Sequence, residues 1–273
     1  MPAPLSIGTT LSLGSDLDAS LAPLRELGIP TAQIFPPASL DAGATREALS
    51  RAGVEATSII AHFAGEDYAD IPTVERTVGL VPEGTRPERL AHLLELAAFG
   101  RELGVRQLQT HIGFVPENAG DARYAAIVEM SQGICDDLAQ SDQLFALETG
   151  QETAATLLRF LNDVKRPNLR LNFDPANMIL YGHDEPLPAM ELLFPFIESI
   201  HAKDGTWPKE AGRLGAETPL GEGDVNWPQF GARLLELGYK GTLTIEREIG
   251  GEQKWRDVAS AKEWLEGLAQ NSK

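Results

Sequence analysis

Two hydrophobic rhythms alternate along this chain. Short β-type runs rich in Val, Ile, Leu, Thr and Phe fall at Leu5–Leu11, Thr31–Phe35, Val54–Phe63, Val105–Ile112, Leu144–Thr149, Leu169–Asp174, Glu198–Lys203 and Thr242–Arg247. Between them apolar residues recur three and four positions apart, as in Leu17/Leu21/Leu24, Leu90/Leu94/Ala97, Leu157/Leu161/Val164, Met190/Leu193/Phe194/Ile197, Phe230/Leu234/Leu237 and Val258/Ala261/Leu265. That second spacing buries one face of a helix, whereas the short runs suit strands covered on both sides.

The punctuation agrees with this reading. Gly28, Gly53, Gly104 and Gly238 each end a helical pattern and precede an apolar or aromatic residue, where a left-handed backbone closes the last turn. Asn226 before Trp227-Pro228 predicts an N-cap with proline in the first turn. Eight strand–helix units without a linker predict an α/β fold, a single (β/α)8 TIM barrel over residues 1–273. An open dinucleotide-binding sheet would need a glycine-rich phosphate turn, and Gly8-Thr9-Thr10-Leu11-Ser12-Leu13-Gly14 does not match one. Residues 67–86 carry few regular signals and are long for a loop, which predicts a lid over the barrel mouth.

Composition narrows the function classes. Hydrophobic residues make up 42%, enough for a full core, so disorder is not expected. The net charge of −17 is relieved by no basic stripe, which argues against nucleic acid and anionic membrane as partners. Cys135 is the only cysteine; it lies on an amphipathic helical pattern and reads as a small, partly buried hydrophobe, with no disulfide framework. The first residues lack the pattern of a signal peptide, and no apolar run reaches the roughly 18 residues of a membrane span, so a cytoplasmic location is expected.

The chemistry gathers at strand ends. Glu148, Asp174, His201 and Glu246 terminate four late strands, and the two-residue alternation turns all four toward the barrel axis. Three carboxylates so placed would repel one another without a cation, so one divalent ion with oxygen ligands and one imidazole is expected. His62 and His111 end earlier strands and are assigned to substrate binding, with a second metal position as the sharper alternative. His92 and His183 read as structural or solvated, and Trp207 and Trp227 as residues packed on the rim.

These residues resemble the xylose-isomerase-like superfamily of sugar and sugar-phosphate isomerases and epimerases. The segments that carry the likeness are Ala146-Leu-Glu148-Thr-Gly, Asn172-Phe-Asp174-Pro-Ala-Asn177, Ile200-His201-Ala-Lys203-Asp204, Pro219-Leu-Gly-Glu-Gly223-Asp224-Val-Asn-Trp227 and Thr244-Ile-Glu246. The resemblance implies that Glu148, Asp174, His201 and Glu246 bind one metal ion (Mn, Mg or Co, with Zn also allowed). It implies that Glu148 and Glu246 are also the acid–base pair, abstracting a proton next to a carbonyl through a metal-stabilised enediolate. Asn177, Lys203 and Arg213 are expected to grip a small carbohydrate, and a homo-oligomer is in keeping with the family. Lyases, dehydratases or hydratases of keto-sugars and inososes share the same metal residues, and a non-catalytic sugar-binding barrel is a third class. The superfamily also includes DNA-repair endonucleases with three zinc ions, but Asn177 and Asn226 stand where that branch has histidines.

Overall fold

The computed structural model describes residues 5–271; of the expected span, residues 1–4 and 272–273 lie outside the described residues. The strands are β1 (Ser6–Ser12), β2 (Thr31–Phe35), β3 (Glu55–Ile60), β4 (Gln107–Thr110), β5 (Leu144–Glu148), β6 (Leu169–Phe173), β7 (Ile197–Ala202), β8 (Asp204–Thr206), β9 (Ala216–Thr218) and β10 (Thr242–Ile245). The helices are α1 (Leu17–Leu27), α2 (Ala42–Ala52), α3 (Ile71–Thr77), α4 (Arg86–Leu103), α5 (Ala122–Ala139), α6 (Ala154–Val164), α7 (Pro175–Leu180), α8 (Pro186–Leu193), α9 (Trp227–Glu236) and α10 (Gly251–Asn271). Strands β1 to β7 and then β10 close an all-parallel barrel, while β8 and β9 form a small antiparallel ribbon beside it. The expected (β/α)8 architecture is therefore present.

Strands and helices meet in one apolar layer. Phe145, Leu147, Leu171, Phe173, Ile200, Leu243 and Ile245 point from the barrel into it and are buried. The predicted glycines close their helices in the left-handed region, with φ of 62° at Gly28, 68° at Gly53, 89° at Gly104 and 81° at Gly238. Cys135 is fully buried, more so than its pattern implied, and burial pushes its thiol up to about 12. Trp227 is buried too, donating its indole N–H to the Lys203 carbonyl at 2.9 Å.

Inside the barrel the usual branched apolar residues give way to amides and hydroxyls. Gln107 Nε2 donates to Ser199 Oγ (2.8 Å) and to Gln109 Oε1 (3.0 Å); Ser199 Oγ donates to Asn172 Oδ1 (2.5 Å), which also accepts from Gln33 Nε2 (3.1 Å). Buried polar groups are tolerable only when paired in this way. The chain of bonds ends at the imidazole of His201, so the interior network and the mouth are one structure.

Residues 67–86 contain a regular element after all. Asp70 accepts the Thr73 N–H at 2.9 Å and caps α3. Val74 and Val78 pack with Tyr181 in a small cluster of their own beside the main core. Asn226 differs from expectation: it sits at the N-cap of α9 with φ 56°, but its amide bonds the Gln229 side chain at 2.9 Å rather than a helix N–H. A left-handed cap residue aims its side chain away from the first turn.

Candidate metal centre

Glu148 ends β5, His201 is the next-to-last residue of β7, and Asp174 and Glu246 immediately follow β6 and β10; these strands are neighbours around the barrel. One ligand atom from each lies within 4.8 Å of the others, and all four residues are buried. Oxygen and nitrogen ligands at about 2.0–2.4 Å from one ion stand at most about 4.8 Å apart, so the set fits a single divalent cation.

Each ligand is held from behind. Asp174 caps α7: its Oδ1 accepts the Asn177 N–H at 3.0 Å, and Pro175 occupies the first turn. Thr149, next to Glu148, accepts the Asp174 N–H at 2.8 Å and returns its hydroxyl to the Asp174 carbonyl at 3.1 Å. The second Asp174 oxygen, Oδ2, has no hydrogen-bond partner among the described residues although it is fully buried. His201 Nε2 donates to Gln33 Oε1 at 2.8 Å, leaving Nδ1 to face the cluster. Nδ1 lies 3.0 Å from Glu246 Oε2, 3.4 Å from Glu148 Oε1 and 3.5 Å from Asp174 Oδ2, yet none of these meets hydrogen-bond geometry. A carboxylate oxygen and a ring nitrogen, both buried and without hydrogen bonds, with Lys203 Nζ 3.6 Å from the oxygen, form a pair that a bound cation would satisfy.

The electrostatics carry the same message. Burial pushes the Glu148 carboxyl up, but His111 and His201 outweigh it and hold the group below its usual range. Burial acts likewise on Glu246, and His201 and Lys203 hold it well below. Lys203 Nζ is buried 3.1 Å from both Glu246 Oε2 and Glu248 Oε2 and donates to Asn177 Oδ1 at 3.2 Å. The chain thus supplies one internal cation beside the cluster.

The other candidates fare differently. His111 lines the cavity above the cluster, with Nε2 3.4 Å from Glu148 Oε1. His62 also lines it; Nδ1 is 2.9 Å from the buried Glu66, whose carboxylate accepts the Phe63 and Gly79 N–H groups. The hydrogen bond to Glu66 raises the His62 pKa. Gly79 can make that contact only as glycine, since φ is 77° and a Cβ would fall 2.2 Å from the Ile112 carbonyl carbon. Asn177 is committed to its neighbours, donating to Glu148 Oε1 at 3.0 Å while accepting from Lys203. Arg213, expected to grip substrate, is exposed on the loop between β8 and β9 and is not among the cavity-lining residues. His92, expected to be merely structural or solvated, lines the cavity. Asp204 holds its loop together, accepting the N–H groups of Gly205, Gly221 and Val225.

Four contributors escaped the sequence reading: Gln33, Glu66, Tyr68 and Glu248. Glu248 had a usable signal, because it lies two residues beyond Glu246 on the same alternation. Glu66, Tyr68 and Glu248 line the cavity, which has a volume of about 680 Å³, while Gln33 lies beneath it against His201.

The model of a family described as "Xylose isomerase-like TIM barrel" matches residues 21–268. The chain belongs to the xylose isomerase-like TIM-barrel family. It is similar to a xylose isomerase domain protein from Planctomyces limnophilus, with 40% identity, 98% of each chain covered and a TM-score of 0.90. A xylose isomerase-like TIM-barrel protein from Mycobacterium smegmatis, crystallised with magnesium, shares the fold at 18% identity and a TM-score of 0.72, over 98% of this chain and 97% of that one. The 3-keto-D-glucoside 4-epimerase YcjR of E. coli shares it at 13% identity and a TM-score of 0.73, over 96% and 98%. A curated relative, the uncharacterized protein YihM of Escherichia coli, is 28% identical over 121 residues, which is 44% of this chain and only 34% of that protein. No helix among the described residues is long and apolar enough to cross a membrane.

Proposed function

We propose that this family member is a divalent-metal-dependent isomerase or epimerase of a sugar or sugar derivative. The observation that carries the reading is the pair of buried glutamates, Glu148 and Glu246, which belong to the metal-ligand set and also line the 680 Å³ cavity. They stand on β5 and at the end of β10, separated in the barrel by β6 and β7. A carbohydrate between them would meet a carboxylate from two directions.

Glu148, Asp174, His201 and Glu246 would hold the ion, which when bound would polarise a substrate carbonyl and its neighbouring hydroxyl. The remaining work falls to side chains. One glutamate takes the proton next to the carbonyl and the other returns one to the reaction site. Both are held in the charged form, so either can begin as the base. His111, beside Glu148, is positioned to hydrogen-bond a substrate oxygen, and His62, oriented by Glu66, reaches the same space. Tyr68, in the segment proposed as a lid, lines the cavity and stands 6.1 Å ring to ring from His111.

The test is incubation of the Mn²⁺- or Mg²⁺-loaded protein with ketoses, keto-sugars and inososes in deuterated water, followed by NMR. Deuterium gained at the carbon next to the carbonyl, without loss of water from the product, is expected. Loss or gain of water would move the protein to the dehydratase or hydratase reading. No exchange with any of these compounds would contradict both.

A further inference from the structure

We propose that the cavity has a second subsite that receives an uncharged, apolar aglycone, so that the substrate is a glycoside whose sugar ring carries a ketone (the acetal carbon itself offers no carbonyl) and not a phosphorylated sugar. This deepens the proposed function and rests on its assignment of a sugar ring to the metal end.

The first observation is size. Each heavy atom of a sugar, with its hydrogens, occupies less than the ~30 Å³ share of a liquid water, so a hexose of about a dozen heavy atoms fills at most about half of the 680 Å³ cavity. The rest of the space has a distinct character. Phe35 at the end of β2, and Pro36, Pro37, Ala38 and Leu40 from the connection between β2 and α2, line it together with Leu96 of α4. That wall is continuous with the metal end, because Glu148 and Glu246 line the same cavity.

Backbone strain points to the same wall. Leu40 has φ 46°, in the left-handed region that a bulky residue without glycine's freedom adopts at a cost. Asparagine, aspartate or glycine would hold that turn more easily. The leucine held there packs part of its side chain against the core and leaves the rest on the cavity wall.

Charge decides which ligands this shape can take. Glu66, Glu95, Glu148, Glu246 and Glu248 line the cavity, and no lysine or arginine does so among the described residues. Lys203 is already engaged by Glu246 and Glu248. A phosphate would meet five carboxylates against three imidazoles, those of His62, His92 and His111, without the Arg/Lys fork that usually receives it. An uncharged ring meets no such opposition and can exchange water for the apolar wall.

Isothermal titration of Mg²⁺-loaded protein with phenyl β-D-glucopyranoside, D-glucose and D-glucose 6-phosphate tests this. The expected result is a phenyl glucoside at least about tenfold tighter than glucose, with the phosphate ester weaker than either. In Leu40→Asn, a change the left-handed backbone tolerates, the advantage should shrink to roughly threefold or less with glucose binding unchanged. Ala38→Asp, at an exposed position, should do the same. The proposal is overturned if the glucoside shows no advantage or neither sugar binds, if the phosphate ester binds tightest, or if both variants keep the preference. These probes need no turnover. Absence of deuterium exchange with the glucoside preference intact would sink the proposed function and spare the subsite; exchange without the preference would do the reverse.

Discussion

Glu152 offers a stability test that does not depend on substrate. It lies four residues past Glu148, is 4% exposed, and neither carboxyl oxygen has a partner in hydrogen-bond geometry among the described residues. Burial pushes its pKa up to about 8, with the backbone amides of Glu152 and Gln151 only softening the effect. The folded state therefore binds this proton more tightly than the unfolded chain, whose carboxyl titrates near 4.5. Below the unfolded value both states are protonated and the group contributes nothing unfavourable. As pH rises from about 4.5 to about 8, stability is lost by roughly 1.4 kcal/mol per pH unit, and above that window the loss levels off. At pH 7 the accumulated cost is about 3 kcal/mol. Glu152→Gln keeps the shape and removes the titration. Thermal unfolding of both proteins at intervals from pH 4.5 to 9 should show the variant gaining on the wild type across that window, reaching roughly 5–10 °C by pH 8. Any fixed cost of burying the amide shifts the whole difference curve without changing its slope. A difference independent of pH, or one that falls as pH rises, would refute the reasoning.

Two further substitutions probe the centre's supports. Gln33→Leu removes the acceptor that fixes the His201 ring, and metal affinity measured by calorimetry should fall about 10- to 100-fold; unchanged affinity would mean that the ring needs no such anchor. Lys203→Met leaves Glu246 and Glu248 without their shared counterion, so the chelator-treated protein should lose roughly 3 kcal/mol, seen as a lower melting temperature. Added Mg²⁺ should recover part of that loss; an equal drop with and without metal would contradict a common electrostatic role.

The strand–helix order was legible because each element has its own period, and the two-residue alternation correctly turned Glu148, Asp174, His201 and Glu246 toward one point. Strand lengths were less legible. The apolar run 54–63 pairs only over Glu55–Ile60, since its last residues turn to line the cavity with Ala61 and His62. Asp174 was read as a ligand and not as a cap, although Asp-Pro-x-Asn carries the cap signal; one oxygen caps α7 and the other is left without a hydrogen bond, as the proposed ligand role requires. Lys203 was expected to meet substrate, yet its ammonium is taken up by Glu246 and Glu248 just beyond β10, the pairing with Glu246 spanning 43 residues. The hairpin of β8 and β9 was missed because three-residue strands have no period to read. Gln33 and Glu66 belong to no motif; their roles come from what the closed barrel brings beside them.

The metal assignment is tested most directly by crystals grown with Mn²⁺ and measured for anomalous scattering. The expected result is a single strong peak about 2.0–2.4 Å from carboxylate oxygens of Glu148, Asp174 and Glu246 and from His201 Nδ1. Absence of a peak there, or a peak bound by other residues while Asp174 Oδ2 stays without a partner, would contradict it.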